Sequence, residues 1–365
     1  MLRTMTALRF RLLGSIEGFV DGTPLALGGP KQKALLAMLL LADERSVSID
    51  QLTDAVWGDA PPLGATATLR VLVSNLRRIL CPGEPDGIRF DGHGYSLRCP
   101  HEIDVIVFDE LCRRAVLAAP SEEAGLWREA LALFTGQPLG GIDATDLLRR
   151  EQVRLVEERL VALEAMFAAE LVSGRHRQIL PELIAACDEH PFREHLRAAL
   201  MTALYRSGRQ TEALRAYQDF RRRLIDELGI EPGAALRELE QQILDQSPAL
   251  DHSTSVRQSA PSTIDARAVG DEEPRLELED GRVFLLTRRV TVIGRDHGAD
   301  LTIDDRRVSR QHAVVRSRLG RFELSDDSST NGTEVNGTAV ERHELHDGDV
   351  ISLGGFALRF QLAPA

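Results

Sequence analysis

Short alternating runs of apolar and polar residues characterise the last third of the chain, from about residue 275 to residue 365. Gly, Asp and Asn residues separate these runs, which is the pattern of β-strands joined by tight turns. The alternation predicts an all-β domain built as a sandwich of two sheets. The runs are RLELED, RVFLLT, VTVIG, HAVVRS, FELSD, VISLG and FALRFQL.

The middle of the chain, residues 104–246, shows a helical pattern, with long Leu- and Ala-rich amphipathic stretches. The related segments GRHRQIL and GRQTEAL begin at Gly174 and Gly208, which gives a spacing of 34 residues. Tetratricopeptide repeats (TPRs) have this period and consist of paired helices. The pattern therefore predicts an all-α, TPR-like domain.

The first hundred residues mix strands and helices. An N-terminal strand is followed by a hairpin with an Asp21-Gly22 turn. Three helices are then predicted at about 30–42, 50–57 and 64–80, before a second hairpin at about 88–98.

Residues 247–274 are rich in Ser, Pro, Thr and charged residues and have no apolar period, so we expect them to form a linker. The chain is thus predicted to be a multidomain α+β protein. Its expected parts are a mixed domain at 1–100, an all-α domain at 104–246, the linker, and the all-β domain at 275–365.

Composition excludes several classes of protein. No apolar run approaches the roughly 20 residues of a membrane span, and the N-terminus does not have the pattern of a signal peptide. Neither a Walker loop nor a nucleophile motif is present, so we expect no enzyme and no cofactor. HELH at 343–346 is interpreted as an accidental surface pair, and no metal is expected. Scattered cysteines without a C-x-x-C pair favour a reducing cytoplasm: Cys81, Cys99, Cys112 and Cys187.

Charge is unevenly distributed along this chain, whose net charge is −12. The stretch from Pro61 to Gly83 contains no acidic residue but does contain arginines. An acidic protein with one acid-free basic stretch can still bind nucleic acid locally.

That stretch includes the helix predicted at 64–80, whose apolar positions fall on one side and predict a buried stripe. The opposite side carries small polar residues, Asn and Arg, which read base edges, while flanking arginines contact phosphates. The buried stripe is Leu69, Val73, Leu76 and Leu80. The candidate DNA-binding residues are Thr68, Arg70, Val71, Ser74, Asn75, Arg77 and Arg78, with Arg89 and His93 in the following hairpin.

Three motifs in the all-β third, VIGR (292–295), DDRRVSRQHAVV (304–315) and SSTNGTEVNG (328–337), lie at the junctions of strands and loops. Together they resemble a forkhead-associated (FHA) domain, and the resemblance implies phosphothreonine recognition by loops at one end of the sandwich. A phosphate offers negative charge and three acceptor oxygens, which guanidinium and hydroxyl donors satisfy. The implied ligand-binding residues are Arg295, Ser309, Arg310, Thr330 and Asn331, with Gly294, His312 and Gly332 in structural roles.

The N-terminal domain resembles an OmpR-type winged helix-turn-helix in the form found in Streptomyces antibiotic regulatory proteins (SARPs). SIDQLTDAVWGDAPP precedes the candidate DNA-binding helix, and GYSL at 94–97 matches the wing. The resemblance implies that the loop at 58–63 contacts RNA polymerase. Residues 200–244 resemble the bacterial transcriptional activation domain of the same family.

A winged helix, a TPR-like activation domain and an FHA sandwich in this order resemble the EmbR-like group of SARPs. The resemblance implies a regulator, expected to be an activator, that binds promoter DNA, RNA polymerase and a phosphothreonine-containing Ser/Thr protein kinase. Pairing of two copies on DNA is left open. The alternative is a phosphothreonine-dependent adaptor whose winged helix binds protein. Because a flexible linker transmits little strain, we expect the FHA domain to dock the kinase, with phosphorylation elsewhere.

Overall fold

The fold was obtained as a computed structural model, which describes most of the 365 residues. The chain divides into two compact units, and each is treated separately below. One unit comprises 1–113, 132–159 and 260–365, and the other comprises 114–131 and 160–259. The described residues are 8–43, 45–82, 85–250, 264–265, 274–279, 281–286, 290–296, 299–318, 321–327 and 329–362.

The N-terminal domain opens with a sheet of order β3-β2-β1-β7, in which β1 and β7 run parallel. Burial alternates along β1, as its sequence pattern predicts. The turn between β2 and β3 has positive φ at Asp21 (46°) and Gly22 (81°), which confirms the predicted hairpin. The strands are β1 (Leu8–Arg11), β2 (Glu17–Val20), β3 (Thr23–Pro24), β4 (Val47–Ser48), β5 (Ile88–Phe90), β6 (Gly94–Leu97) and β7 (His101–Ile103).

Three helices follow the predicted positions: α1 (Pro30–Leu41), α2 (Ile49–Trp57) and α3 (Ala65–Leu80). A capping box begins α2, because Ser48 accepts from the Gln51 N–H and the Gln51 side chain accepts from the Ser48 N–H. The predicted apolar stripe of α3 is buried at all four positions.

The wing is a three-stranded sheet of order β4-β6-β5. Gly94 begins β6 and lies directly against β4. A Cβ on Gly94 would lie 2.2 Å from the carbonyl oxygen of Val47, so only glycine allows this approach. The winged helix-turn-helix predicted from the sequence is confirmed.

Asp104 connects the N-terminal sheet to the first helix of the middle domain. Its buried carboxylate accepts three short hydrogen bonds, two from the Leu12 N–H (2.8 and 2.9 Å) and one from the Leu13 N–H (2.9 Å). Burial raises the pKa of Asp104, although these N–H groups act in the opposite direction. The Asp104 side chain therefore joins the end of β1 to the start of the helix that begins at Asp104.

The middle of the chain is all-α, as predicted. Gly174 and Gly208 hold equivalent places in the turns that precede two of its helices, with φ of 72° and 77°. Because this left-handed conformation favours glycine, the 34-residue spacing reflects a repeated turn. The helices are α4 (Asp104–Leu117), α5 (Pro120–Ala132), α6 (Asp146–Val172), α7 (His176–Glu189), α8 (Glu194–Arg206), α9 (Gln210–Leu228) and α10 (Ala234–Leu244).

Two sheets form the C-terminal sandwich, with strand orders β16-β15-β18-β19-β9-β10-β8 and β12-β11-β13-β14-β17. Their facing apolar side chains form one core around Ile293, Leu324 and Phe360. The strands are β8 (Ile264–Asp265), β9 (Arg275–Leu278), β10 (Arg282–Leu285), β11 (Val290–Gly294), β12 (Leu301–Thr302), β13 (Ala313–Arg318), β14 (Arg321–Asp326), β15 (Thr333–Val335), β16 (Thr338–Ala339), β17 (Arg342–Leu345), β18 (Val350–Leu353) and β19 (Phe356–Gln361).

The linker predicted at 247–274 lies largely outside the described residues. Two described parts of it have regular structure. Residues 248–250 form a 3₁₀ turn with Leu250 buried, and β8 pairs with β10.

Within the first unit, the sandwich contacts the N-terminal domain directly. Arg45, between α1 and β4, forms an ion pair with Glu323 on β14 and approaches Glu344 on β17 at 3.9 Å. Arg154 on α6 donates to the Ser317 hydroxyl on β13 at 2.7 Å. The linker is therefore not the sole connection between the sandwich and the preceding chain.

Replacement of Asp104 by Ala should lower the free energy of unfolding by about 2–5 kcal/mol, because each stranded N–H costs about 1–3 kcal/mol. Urea denaturation followed by circular dichroism measures the change. Glu102→Ala is the matched control, since Glu102 is exposed and, among the described residues, its side chain pairs with the exposed Arg9 alone. Equal effects of the two substitutions would contradict the structural role of Asp104.

Candidate functional sites

His312 is fully buried and joins two loops at one end of the sandwich. Its Nδ1 accepts from the Ser309 N–H (3.0 Å), which leaves the proton on Nε2 to be donated to the Gly332 carbonyl (3.0 Å). One imidazole thus sets the spacing between the loop before β13 and the loop after β14.

The third loop of this end begins at Gly294. A Cβ at Gly294 would lie 2.1 Å from the Arg310 carbonyl oxygen, so the strand and the loop approach closely only with glycine. The Arg295 N–H donates to the Ser309 carbonyl at 2.8 Å, which fixes the Arg295 backbone beside Ser309. The Arg295 side chain is exposed and forms no ion pair with any residue that the structure describes.

Ser309 meets Thr330 from the opposite loop. Its Oγ accepts from the Thr330 N–H at 3.0 Å and lies 3.4 Å from the Thr330 hydroxyl oxygen. The second contact is long for a bond between hydroxyls, so the Ser309 proton is available to another acceptor. Ser309, Thr330, Arg295 and the loops held by His312 therefore converge on one surface.

Asn331 and Gly332 complete the turn opposite Ser309. The Asn331 amide donates to the Arg307 carbonyl at 2.8 Å, and Gly332 adopts a φ of 77°. Asn331 remains exposed at the surface, next to Thr330. Its amide therefore braces the loop while the side chain stays accessible.

Arg307 and Arg310 lie in the same loop but differ in whether a carboxylate pairs with the guanidinium. Arg307 pairs with Asp305 at 2.7 Å and donates to the Gly355 carbonyl at 3.0 Å. The hydrogen bonds from Arg307 lower the pKa of Asp305 to about 2. Arg310 is exposed, and its guanidinium has no partner among the described residues.

Asp326 organises the loop after β14, although sequence reasoning did not single it out. Its carboxylate accepts from the Ser329 N–H (2.8 Å), the Ser329 hydroxyl (2.6 Å) and the Thr333 hydroxyl (2.6 Å). Burial would raise the pKa of Asp326, but these hydrogen bonds lower it. An Asp followed three residues later by Ser is the signal that could have identified this turn.

The second candidate surface lies on α3. Asn75 is half-buried and accepts from Arg78 at 3.3 Å, so these two residues form a pair on the helix surface. The remaining outward residues of the predicted set on this helix are exposed: Thr68, Arg70, Val71, Ser74 and Arg78.

Arg77 is positioned differently from the other arginines of α3. Its Nε and Nη2 donate to the Ile88 carbonyl at 2.9 and 2.7 Å, and its guanidinium lies 5.9 Å from the centre of the Tyr95 ring. These contacts join α3 to the wing strands β5 and β6. The sequence predicted an exposed Arg77 that flanks the base-reading residues and contacts a phosphate. In the structure the Arg77 side chain is instead half-buried.

In the wing, Arg89 and His93 are both exposed. Asp91 shapes the turn between them by accepting from the His93 N–H (3.0 Å) and the Gly94 N–H (2.8 Å). A hydrogen bond from Ser46 and these N–H groups lower the pKa of Asp91 to about 2. Arg89 and His93 lie on the wing, separate in sequence from the helical set.

Among the described residues, no helix combines the length and apolar character that crossing a membrane requires.

Three family models match successive parts of the chain. "Transcriptional regulatory protein, C terminal" matches residues 22–97, "Bacterial transcriptional activator domain" matches 103–244 and "FHA domain" matches 291–354. These ranges fall in the winged helix, the helical middle and the sandwich, in that order.

Curated relatives share this organisation in whole or in part. The transcriptional regulatory protein EmbR of Mycobacterium tuberculosis is 34% identical over 372 residues, covering 98% of this chain and 96% of EmbR. The regulatory protein DnrI of Streptomyces peucetius is 33% identical over 259 residues, covering 67% of this chain and 95% of DnrI.

A solved structure has the same fold over nearly the whole chain. "Mycobacterium tuberculosis EmbR in complex with low affinity phosphopeptide" matches with a TM-score of 0.67 and 33% identity, covering 98% of both chains. The chain belongs to the EmbR-like group of SARP transcriptional regulators, in which a winged helix, a bacterial transcriptional activator domain and an FHA domain follow one another.

Proposed function

We propose that this regulator binds a phosphothreonine peptide at the end of the sandwich where His312 joins the loops. The observation that carries the proposal is the convergence of the exposed Arg295, which has no ion pair among the described residues, with the Ser309 hydroxyl on loops fixed by a buried imidazole. Arg295 supplies a charge-assisted hydrogen bond and Ser309 a short hydroxyl donor to the phosphate.

Arg310 and Thr330 complete the phosphate site. Arg310 adds positive charge at the rim, whereas Arg307 does not contribute because Asp305 already neutralises it. The Ser309 oxygen accepts from the Thr330 N–H, and its hydroxyl proton can be donated to the incoming phosphate. Asn331 binds the backbone of the peptide.

The peptide belongs to a Ser/Thr protein kinase phosphorylated on threonine. The EmbR structure in complex with a phosphopeptide supports this class of ligand, because it is similar over 98% of the chain. The regulator itself acts by binding, without turnover, and works in the cytoplasm, where both the kinase domain and the promoter are accessible.

The N-terminal domain reads promoter DNA with α3 in the major groove. Asn75 and Arg78 form a hydrogen-bonded pair of base-reading side chains, and Arg70 contacts a phosphate. Arg77 positions the wing through the Ile88 carbonyl, so that Arg89 and His93 lie against the DNA backbone.

The loop at 58–63 provides the surface for RNA polymerase, and its Leu63 side chain is fully exposed. An exposed large apolar side chain at a loop tip is suited to a protein partner. Pairing of two copies on promoter DNA stays a prediction.

Docking of the kinase is the primary role of the FHA domain, with phosphorylation elsewhere, on this protein or on a neighbour. Phosphopeptide binding could also affect DNA binding directly. The ion pairs of Arg45 with Glu323 and Glu344 join the sandwich to the domain that carries α3. Any coupling through this contact must be reciprocal, so DNA would change peptide affinity by the same factor.

Arg295→Ala should weaken binding of a phosphothreonine peptide by about 2–5 kcal/mol, since the phosphate loses its charged partner. Isothermal titration calorimetry on the full chain measures the change. Arg359→Ala, an exposed arginine in the middle of β19, is the matched control and should bind normally. Normal affinity in a folded Arg295→Ala protein would remove Arg295 from the site.

Phosphothreonine should bind more tightly than phosphoserine in the same peptide by roughly 1–3 kcal/mol, the usual worth of one fitted methyl group. Competition of the two peptides for the full chain, read by fluorescence anisotropy, gives the ratio directly. Equal affinities would show that the loops offer no pocket for the γ-methyl group.

Simultaneous replacement of Asn75 and Arg78 by Ala should abolish discrimination between operator and random DNA without loss of stability, because both side chains lie outside the buried stripe. Arg70→Ala should instead weaken all DNA and reduce the salt dependence by about one phosphate contact. Gel shifts over a salt series distinguish these effects, with Arg222→Ala on α9 as control. Retained operator selectivity in the double variant would place base reading elsewhere.

A further inference from the structure

The turn between β17 and β18 gathers two histidines and a buried carboxylate. His343 Nε2 lies 3.3 Å from Asp349 Oδ2, and His346 Nδ1 lies 4.0 Å from the same oxygen. One ligand atom from each of the three residues lies within 4.8 Å of the other two. His343 and His346, expected from the sequence to be an accidental surface pair, thus have Asp349 as a third neighbour.

The Asp349 carboxylate is held in place by the Asn336 side chain and by a backbone N–H group. Asn336 donates to Asp349 Oδ1 at 2.8 Å, and the His346 N–H donates to Asp349 Oδ2 at 2.8 Å. Asn336 itself adopts a positive φ of 52° and accepts from the Val350 N–H at 3.0 Å. Metal-binding carboxylates are commonly oriented by such outer hydrogen bonds.

We propose that His343, His346 and Asp349 form a binding site for one divalent transition-metal ion of the Zn²⁺ class. Two imidazoles and a carboxylate are donors that suit this class of ion, and three protein ligands leave a position open for water. Zn–N and Zn–O bonds of about 2.0–2.2 Å in a tetrahedron place the ligand atoms about 3.4 Å apart.

Only a small movement of His346 is needed to complete the tetrahedral arrangement of the ligand atoms. The pair of His343 and Asp349 already has the required separation of 3.3 Å. His346 must move closer, and its side chain is 75% exposed, so rotation meets little resistance. Asp347 lies beside His346 on the surface and adds negative charge that favours a cation.

The proposed metal site is separate from the phosphopeptide loops. Asp349 precedes β18, whereas Gly354 and Gly355 follow it and lie against Arg307 near those loops. Five residues of extended chain span about 16 Å. Metal binding is therefore expected to stabilise the turn without changing peptide affinity.

The test uses the full chain with any affinity tag removed, titrated with ZnCl₂ by calorimetry and with CoCl₂ by visible absorption. We expect one equivalent of Zn²⁺ to bind, a rise in the thermal midpoint, and the intense d–d absorption of Co²⁺ with fewer than six ligands. His346→Ala should weaken Zn²⁺ by more than about tenfold and abolish the Co²⁺ bands while phosphopeptide affinity is unchanged.

Two further variants make the test specific. Asn336→Gly keeps the positive φ but removes the amide that orients Asp349, and should weaken Zn²⁺ by about 10–100-fold. His195→Ala removes an exposed histidine beside a single carboxylate, Glu164, and should leave binding unchanged. Absence of a one-to-one Zn²⁺ complex, or a complex that survives His346→Ala, would overturn the proposal.

Discussion

The hydrogen bonds of one buried imidazole hold the candidate phosphate site together. His312 accepts from the Ser309 N–H and donates to the Gly332 carbonyl, so the loops before β13 and after β14 cannot move apart without stranding polar groups in the interior. A buried, unsatisfied donor or acceptor costs about 1–3 kcal/mol. The cost of breaking these bonds keeps Ser309 and Thr330 next to each other. Because Gly294 has no side chain, Arg295 can also lie close to them.

Local pattern is enough to predict the three helices of the N-terminal domain and seven strands of the sandwich, whereas the phosphate-site residues follow from the resemblance to an FHA domain. The stripe on α3 and the alternation in β1 follow from burial on one face, which a short window of sequence reveals. Contacts between distant segments leave no such signal. Arg77 bound to the Ile88 carbonyl, and Arg45 paired with Glu323, depend on how the chain folds back on itself. Asp326 has local partners and a local Asp-x-x-Ser signal, whereas the contact of Asp349 with Asn336 joins two turns that are separated in sequence.

Charge on this acidic chain is arranged locally. The acid-free stretch that contains α3 leaves Arg70 and Arg78 exposed, whereas Arg307 and Arg45 are matched by carboxylates. Exposed, unmatched guanidinium groups attract phosphates, and matched ones hold loops and domains in place. The same residue type is thus proposed to bind ligand at Arg295 and is structural at Arg307, where Asp305 pairs with the guanidinium.

Phosphate-dependent peptide binding is the most direct measure of the central claim that the loops joined by His312 form a phosphothreonine site. Calorimetry would compare one threonine peptide, with and without its phosphate, on the full-length regulator. The structure predicts saturable one-to-one binding of the phosphorylated peptide, which weakens as salt rises, and no measurable binding of its unphosphorylated form. Equal affinity for the two peptides, or binding of neither, would contradict the claim.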